Sequence, residues 1–295
     1  MSIAESHTAE PILLRDDRNG IATLTLNRPG ARNALSRELM AALKAELDAI
    51  AGDRTVKVVV LAAAGPAFCA GHDLKEVRSR ADEPFFKALF EQCSELMLTI
   101  TRIPQIVIAR VHAMATAAGC QLVASCDLAV AADTAKFATP GVNIGLFCST
   151  PMVAISRNIG RKKMMEMLVT GEAIDAATAE ALGLVNRVVP ADGLDAAVAE
   201  LAGRIVSKSP LTLAIGKEAF YAQLEMPMAD AYGHASAVMT RNMLARDAQE
   251  GIDAFIAKRQ PVWRGGGRAC PSPRRPSPCG APIHPSCSRR PSRPG

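Results

Sequence analysis

The sequence predicts an α/β fold of stacked strand–helix units, because short strand-like segments alternate with amphipathic helical segments along residues 1–200. Residues 21–27 (IATLTLN) alternate apolar and polar side chains at the two-residue period of a strand. Residues 56–61 (VKVVVL) and 106–111 (IVIARV) are rich in β-branched side chains, which is typical of buried strands. Repeated units of this kind favour a layered fold over a helical bundle.

Two helices are predicted between these strands, because apolar residues recur there at three- and four-residue spacing. Ser36 is suited to cap the first helix. The apolar stripe of the first helix consists of Leu39, Met40, Leu43, Leu47 and Ile50. The stripe of the second consists of Leu89, Phe90, Cys93, Leu96, Met97 and Ile100.

Composition divides the chain into three regions. Residues 1–200 carry the strand–helix units and are expected to form the core. Residues 201–264 lack strand signals and are expected to be helical, with apolar stripes that suit packing on a neighbouring subunit or on their own core. Residues 265–295 hold eight of the 19 prolines, six arginines and no acid, which predicts a disordered tail; a basic segment that contacts an acidic partner is the alternative. The helices expected near and within the second region are 196–207, 211–224 and 228–258.

The net charge of +5 comes from the tail. Without its six arginines, 28 basic residues face 29 acidic ones, and a nearly neutral body argues against a nucleic-acid partner. The chain has no apolar run of the roughly 20 residues that span a bilayer, so no membrane association is expected. Residues 1–11 resemble neither a secretory signal nor an Arg-rich transit peptide, so we expect a cytoplasmic protein.

The cysteines outside the tail show no paired metal-type spacing. They lie among apolar or small residues, and structural thiols of a reducing compartment are favoured over disulfides or a metal site. These residues are Cys69, Cys93, Cys120, Cys126 and Cys148.

Two turns rich in Gly and Ala are the candidates for chemistry. Residues 65–75 (GPAFCAGHDLK) and 112–122 (HAMATAAGCQL) each follow a predicted buried strand. Small residues at the start of a helix leave backbone N–H groups free at the positive end of the helix dipole. Two such turns that converge would form an oxyanion hole; close packing of helix on strand is the alternative reason for the small residues.

The order of the motifs along residues 12–264 resembles the crotonase (enoyl-CoA hydratase/isomerase) superfamily. The motifs are 27–29 (NRP), 32–35 (RNAL), 67–74 (AFCAGHDL), 118–121 (AGCQ), 126–127 (CD), 136–140 (KFATP), 170–172 (TGE), 181–185 (ALGLV) and 255–259 (FIAKR). Residues 141–151 (GVNIGLFCSTP) resemble one subgroup in particular, the enoyl-CoA hydratase domain-containing protein 3 group.

This resemblance implies a ClpP/crotonase-like spiral of ββα units, a C-terminal helical trimerisation segment and a hexamer of two trimers. It implies an acyl-CoA thioester as substrate and no separate cofactor. The backbone N–H groups of His72 and Ala118 fall at the oxyanion-hole positions. The residues at CoA-binding positions are Arg32, Ala70, Asp73, Leu74 and Lys75, with Phe255 and Lys258 contacting CoA from a neighbouring subunit. An ordinary surface role remains open for each basic residue among them.

The chain departs from the family at both catalytic acids. Hydratases use two glutamates to move protons between water and the 2-enoyl thioester, and these positions hold Gln121 and Gly141 here. The remaining candidates for proton transfer are His72, which could titrate near neutral pH, and Asp73, Cys148 and Ser149. A Ser-His-Asp hydrolase is disfavoured, because the sequence has no Gly-x-Ser-x-Gly elbow.

Two functions therefore follow from the sequence. One is an enoyl-CoA hydratase-like lyase of fatty-acid metabolism with weak or altered activity. The other is a non-catalytic acyl-CoA-binding or assembly protein. Replacing both Gln121 and Gly141 by Glu is expected to raise the hydration rate if the pocket keeps its geometry.

Overall fold

The computed structural model describes residues 10–265. The predicted tail, apart from Gly265, and the first nine residues lie outside this range. The strands are β1 (Leu13–Arg18), β2 (Ile21–Leu26), β3 (Val58–Ala63), β4 (Ile106–Val111), β5 (Ala115–Thr116), β6 (Leu128–Ala132), β7 (Lys136–Ala138), β8 (Ile174–Asp175) and β9 (Arg187–Val189). The helices are α1 (Arg37–Gly52), α2 (Leu74–Ser79), α3 (Glu83–Arg102), α4 (Ala118–Ser125), α5 (Ser149–Ile155), α6 (Arg161–Thr170), α7 (Ala176–Ala181), α8 (Leu194–Val206), α9 (Pro210–Gln223), α10 (Met228–Met243) and α11 (Arg246–Ile256).

The main sheet has the strand order β1-β2-β3-β4-β6-β9. β1 is antiparallel to β2, and the other neighbours are parallel. A small sheet of β5, β7 and β8 begins within the second turn, since β5 lies inside residues 112–122. The alternation of parallel strands and helices confirms the expected layered α/β fold.

Strand β3 is buried along its whole length because helices cover both faces of the sheet. Val59 and Leu61 join the large apolar cluster to which α1 and α3 contribute. Val58 and Val60 point the other way, into a smaller cluster with residues of α8. The run of β-branched residues therefore reflects burial on two sides.

The C-terminal helices agree with the prediction in two places and differ in one. Helices α8 and α9 lie within two residues of the predicted bounds, and residue 200 falls inside α8. The single helix predicted over 228–258 is wrong, because Ala245 is extended (φ −72°, ψ 143°) and separates α10 from α11. No Gly or Pro marks this break, and the apolar periodicity continues through it. The sequence pattern therefore predicted one helix instead of two. No helix within residues 10–265 is long and apolar enough to cross a bilayer.

The two small-residue turns are held directly against one another. The Thr116 N–H donates to the Cys69 carbonyl oxygen (2.9 Å), and the Phe68 N–H donates to the Met114 oxygen (2.9 Å). A Cβ atom on Gly119 would collide with the Cys69 carbonyl oxygen. Glycine at position 119 therefore allows the start of α4 to reach the turn after β3.

A buried ion pair fastens α9 to the sheet. The Lys217 ammonium donates to the Asp127 carboxylate (2.6 Å) and to the carbonyl oxygens of Ile100 and Gln105 (2.8 Å each). Asp127 also accepts from the Tyr221 hydroxyl (2.9 Å) and the Val107 N–H (2.7 Å). Burial lowers the pKa of Lys217 and raises that of Asp127, and the attraction between the two charges opposes both shifts. Both ions are fully hydrogen-bonded, which a buried pair requires.

Replacing Lys217 by Met should reduce the free energy of unfolding by about 3–5 kcal/mol, because Asp127 would be left as an uncompensated buried charge. Urea denaturation measures this loss. Lys208→Met is the matched control, since that lysine is exposed at the end of α8 and should change stability by less than about 0.5 kcal/mol. Equal effects of the two substitutions would contradict the anchoring role of Lys217.

Replacing Gly119 by Ala should force α4 away from Cys69 and cost about 1–3 kcal/mol, the usual range for an overpacked site. Gly203→Ala in α8 is the control, because a Cβ there meets no atom within 4 Å. Alanine in an open helical position stabilises by about 0.5–1 kcal/mol relative to glycine. Thermal unfolding should therefore shift in opposite directions for the two variants, and a Gly119→Ala variant as stable as the parent protein would refute the close approach.

Candidate active site

The first turn is built on an internal frame of polar side chains. The Arg28 guanidinium donates to the Asp73 carboxylate (2.9 Å) and to the Ala34 carbonyl oxygen (2.5 Å). Buried Asn33, in the left-handed region (φ 53°), donates to the carbonyl oxygens of Ala64 and Ala67. Arg28 and Asn33 were not among the predicted site residues, although both lie in the motifs that carry the family resemblance. Their role here is to hold the turn in shape.

Asp73 belongs to the same set of polar side chains that holds the first turn. One carboxylate oxygen accepts from the N–H groups of Lys75 (3.1 Å) and Glu76 (3.4 Å) and caps α2, while the other accepts from Arg28. Burial alone would raise the pKa of Asp73, but the Arg28 hydrogen bond and the α2 N–H groups hold it below its usual range. Because both oxygens are engaged, Asp73 is a poor candidate for the missing acid or base.

The adjoining turns carry free backbone donors. Within residues 10–265 the N–H groups of His72 and Ala118 find no acceptor, whereas the flanking N–H of Asp73 donates to Leu35 and that of Ala117 donates to Ala138. Ala117, directly before α4, has a positive φ of 49° and a ψ of −119°. A residue other than Gly rarely adopts such a conformation, and the strain is compatible with a turn shaped to present its N–H groups.

The distance between the two turns is short. Gly71, which precedes His72, has a φ of 90°, and a Cβ on it would lie 3.4 Å from the Ala118 nitrogen and 2.9 Å from the Ala117 Cβ. The turn that carries His72 therefore packs on the first residue of α4. Two free N–H groups on such neighbouring turns can bind one oxygen atom that carries negative charge.

The His72 side chain is neutral at neutral pH. Burial lowers its pKa to about 4. Its ring packs edge-on against Phe90 at a centroid distance of 5.5 Å, and its Nε2 atom is buried without a partner. The expectation that His72 titrates near neutrality is wrong, because the ring leaves water on folding.

Gln121 and Thr139 place two further unpaired polar atoms beside the second turn. Gln121 is 4% exposed and Thr139 is fully buried, and neither Gln121 Oε1 nor Thr139 Oγ1 has a hydrogen-bond partner. Gln121 lies one helical turn after Ala117, whose carbonyl oxygen accepts its N–H, and Thr139 follows Ala138, which accepts from the Ala117 N–H. Leaving such an atom unpaired costs about 1–3 kcal/mol, so a hydrogen-bond partner for either atom would be stabilising.

Gly141 has no space for a side chain. A Cβ there would lie 2.8 Å from the Leu146 carbonyl oxygen and 2.9 Å from the Cys148 sulfur. Cys148 is 7% exposed, and burial raises the pKa of its thiol, which therefore stays protonated at neutral pH. The condition attached to the double glutamate substitution, a pocket of unchanged geometry, is therefore not met at position 141 unless the Leu146 carbonyl oxygen or the Cys148 sulfur moves. Ser149 donates to the Phe147 carbonyl oxygen (3.3 Å) and is occupied locally.

The predicted CoA-binding residues fall in two separate places. Arg32 accepts the Ala70 N–H on its carbonyl oxygen (3.1 Å), and its side chain is exposed beside the first turn. Leu74 and Lys75 are exposed at the start of α2. Phe255, 86% exposed, lies at the end of α11, and its inner side borders a groove with Lys208 and Trp263. Lys258 is exposed two residues beyond α11. No hydrogen bond or ion pair found within residues 10–265 joins Phe255 or Lys258 to the first turn.

The described cysteines are all buried and none forms a disulfide; they are Cys69, Cys93, Cys120, Cys126 and Cys148. Burial raises the pKa of each thiol, and for Cys69 and Cys93 the value rises to about 12. Within residues 10–265 no group of three His, Cys, Asp or Glu side chains is arranged to hold a metal ion.

Known proteins share both the sequence pattern and the fold. The sequence model of the enoyl-CoA hydratase/isomerase family matches residues 16–266. Enoyl-CoA hydratase domain-containing protein 3, mitochondrial, of Rattus norvegicus is 46% identical over 246 residues, which cover 83% of this chain and 82% of the relative. The human protein of the same name is 45% identical over 83% of this chain and 81% of its own length.

Two crystal structures superpose closely. That of an enoyl-CoA hydratase of Mycobacterium smegmatis is 53% identical with a TM-score of 0.85 and covers 86% of this chain and 99% of its own. That of human enoyl coenzyme A hydratase domain-containing protein 3 is 44% identical with a TM-score of 0.84 and covers 86% of this chain and 100% of its own. The predicted crotonase fold and the resemblance to the domain-containing protein 3 group are confirmed.

The expectation of a cytoplasmic protein is wrong. Relatives from five vertebrates, 42–46% identical, are all named as mitochondrial, which points to mitochondria rather than the cytoplasm. The expectation rested on the composition of residues 1–11. Targeting segments are recognised over longer stretches and are removed after import, so those few residues carried too little information.

The motifs, the sheet topology and the adjoining small-residue turns all agree with the matches to known proteins. The family model matches residues 16–266, and the structure describes residues 10–265, so the sequence match and the fold cover nearly the same part of the chain. The chain belongs to the enoyl-CoA hydratase/isomerase family.

Proposed function

We propose that the protein binds an acyl-CoA thioester with the carbonyl oxygen between the backbone N–H groups of His72 and Ala118. The observation that carries this proposal is the pair of free donors on turns that pack against each other. A thioester oxygen gains negative charge when the acyl group becomes an enolate, and a preorganised donor at that point contributes about 3–4 kcal/mol. The match to the family supports the choice of thioester.

The surroundings of the first turn suit the rest of the CoA molecule. Residues 70–75 would line the path of the pantetheine chain, with exposed Leu74 as an apolar contact. Arg32 and Lys75 are exposed cations beside this path and would contact the CoA phosphates. Phe255 and Lys258 would reach CoA only from a second subunit.

Hydration of 2-enoyl-CoA is poorly supported. Gln121 cannot take a proton from water, Gly141 has no side chain, and His72 is neutral with a weakly basic ring. Each missing acid–base group typically costs a factor of about 10²–10⁴ in rate. A lyase-type activity of this protein would therefore rely on enolate stabilisation, and a non-catalytic acyl-CoA-binding role is the second candidate, favoured by the closed space around Gly141.

A trimer or a hexamer of two trimers is the proposed assembly. Helices α9, α10 and α11 and the segment between them expose a series of large apolar side chains, more than half of each being accessible: Phe220, Leu224, Met228, Tyr232, Met239, Leu244, Phe255 and Ile256. Large apolar side chains exposed in this number on consecutive helices usually mark an interface. Its position on the C-terminal helices agrees with the trimerisation that the family resemblance implies.

Light scattering should report a mass of three or six times 31.1 kDa. Like charges at two of these positions, Phe220→Lys with Met239→Lys, should shift the mass towards the monomer, because the new charges would be buried in the interface. Leu14→Lys on exposed strand β1 is the control and should leave the mass unchanged. A monomeric parent protein at micromolar concentration would refute the assembly.

Calorimetry with acetoacetyl-CoA, an enolisable thioester, tests the binding proposal. The parent protein should show saturable binding, and Gly71→Ala should weaken it by about tenfold, because a Cβ there would lie 2.9 Å from the Ala117 Cβ and would push the two turns apart at a cost of about 1–3 kcal/mol. Gly20→Ala is the matched control and should bind as the parent does, because Gly20 has a similar positive φ of 79° but its nearest neighbour would lie 3.5 Å from the new Cβ. Absence of saturable binding at millimolar ligand, or equal loss in both folded variants, would refute the oxyanion site.

A further inference from the structure

We propose that Glu76 is a positioning residue that sets the direction of the His72 N–H group. It acts through the backbone, by fixing the start of α1 and the start of α2 relative to each other. This inference rests on the proposed function, because the direction of that N–H group matters for binding only if it donates to the thioester oxygen.

Residues 71–73 pair with Leu35 in the manner of two parallel strands. The Leu35 N–H donates to the Gly71 carbonyl oxygen (2.7 Å), and the Asp73 N–H donates to the Leu35 carbonyl oxygen (3.1 Å). In extended backbone, successive N–H groups point to opposite sides, so a residue whose two neighbours bond to one segment turns its own N–H away from that segment. The pairing with Leu35 therefore points the His72 N–H to the other side, where it finds no acceptor within residues 10–265.

Glu76 holds the segment that contains Leu35. Its Oε2 atom accepts the Arg37 N–H (2.9 Å), which is the first N–H of α1 and has no acceptor within that helix. Ser36 caps the same helix end by accepting the Leu39 N–H (3.2 Å). The start of α1 thus receives one of its caps from a side chain that lies 39 positions further along the sequence.

Three hydrogen bonds close a ring beside His72. The Arg37 N–H donates to Glu76, the Glu76 N–H donates to the Asp73 carboxylate (3.4 Å), and the Asp73 N–H donates to Leu35, two residues before Arg37. The ring links residues 35–37 to residues 73–76. His72 directly precedes Asp73, so a movement of α2 relative to α1 changes the direction of its N–H group.

The two sides of this ring are held with unequal strength. The α1 side is fixed to α3, because Gln92 accepts from the Arg37 guanidinium (3.0 Å) and donates to the Arg37 carbonyl oxygen (2.8 Å). The six residues of α2 include none that is buried, and Val77 packs on the core only in part. Polar contacts therefore determine the place of α2, and the bond from Arg37 to Glu76 ties this helix to α1.

Binding of an oxygen atom by two N–H groups is sensitive to small changes in their direction. A hydrogen bond weakens steeply as its angle departs from linear, and a misplacement of about 1 Å can cost a factor of about 100 in rate. Loss of the Glu76 bond should therefore weaken the contact between His72 and the thioester oxygen. The CoA part of the ligand does not use this N–H group and should bind as before.

The test compares butyryl-CoA with S-butyl-CoA, a thioether in which a CH₂ group replaces the carbonyl. Calorimetry on the full-length protein should show about tenfold tighter binding of butyryl-CoA, which isolates the contribution of the oxygen atom. Glu76→Ala should weaken butyryl-CoA binding by about tenfold, the usual effect of a lost helix cap, and S-butyl-CoA binding by less than about twofold.

Two further variants separate the hydrogen bond of Glu76 from its charge. Glu76→Gln keeps an oxygen that can accept the Arg37 N–H and should retain the preference for butyryl-CoA. Glu38→Ala is the matched control and should bind both ligands as the parent does. Glu38 is an exposed acid in the same first turn of α1 and forms no hydrogen bond or ion pair within residues 10–265.

The infrared carbonyl stretch of bound butyryl-CoA provides a spectroscopic readout. Hydrogen bonds to the carbonyl oxygen lower its frequency, so the band should shift in the parent and in Glu76→Gln and lie closer to that of free ligand in Glu76→Ala. A preference for butyryl-CoA that survives in Glu76→Ala, equal weakening of both ligands, or the same loss in Glu76→Gln would overturn this inference alone. Equal binding of the two ligands by the parent protein would instead remove the oxyanion site of the proposed function.

Discussion

The close approach of α4 to the turn after β3 is the constraint on which the candidate site depends. Gly119 faces the Cys69 carbonyl oxygen with no room for a Cβ, and Gly71 packs on Ala117 with a positive φ. When the two turns meet at this distance, the N–H groups of His72 and Ala118 have no carbonyl oxygen of their own to bond. The oxyanion-binding role that we propose for the site is therefore a property of backbone geometry and does not depend on the identity of the surrounding side chains.

The dependence of the candidate site on backbone geometry also explains which of its features the sequence could predict. The strands before both turns are β-branched runs, and the turns themselves consist of small residues, so their position at the start of helices follows from propensity and burial. Because the proposed oxyanion donors are backbone groups, the register of the motifs alone was enough to nominate His72 and Ala118 for that role. Ser36 was correctly identified as a cap, since its hydroxyl accepts the Leu39 N–H.

The remaining features depend on contacts between segments far apart in the sequence. The low pKa of His72 results from its burial beside Phe90, 18 positions away, and the thiol of Cys148 returns to Gly141 only because the intervening loop turns back on itself. The break at Ala245 leaves the apolar period unaltered, so the pattern contained no sign of it. The sequence left Asp73 as a candidate for proton transfer, but in the structure its carboxylate forms an ion pair with Arg28. Its distance of 45 positions from Arg28 hid this interaction.

The division of apolar residues by strand β3 has a consequence for how the protein can change over evolution or by design. Val58 and Val60 pack with Leu194 and Val198 of α8, whereas Val59 and Leu61 belong to the cluster that also contains Cys69, Ala118 and Cys148. The sheet thus separates the apolar cluster beside α8 from the cluster that packs around the site. Volume-conserving exchanges on the α8 side can adjust the melting temperature while the geometry of the two turns stays the same, so the two properties can be optimised separately.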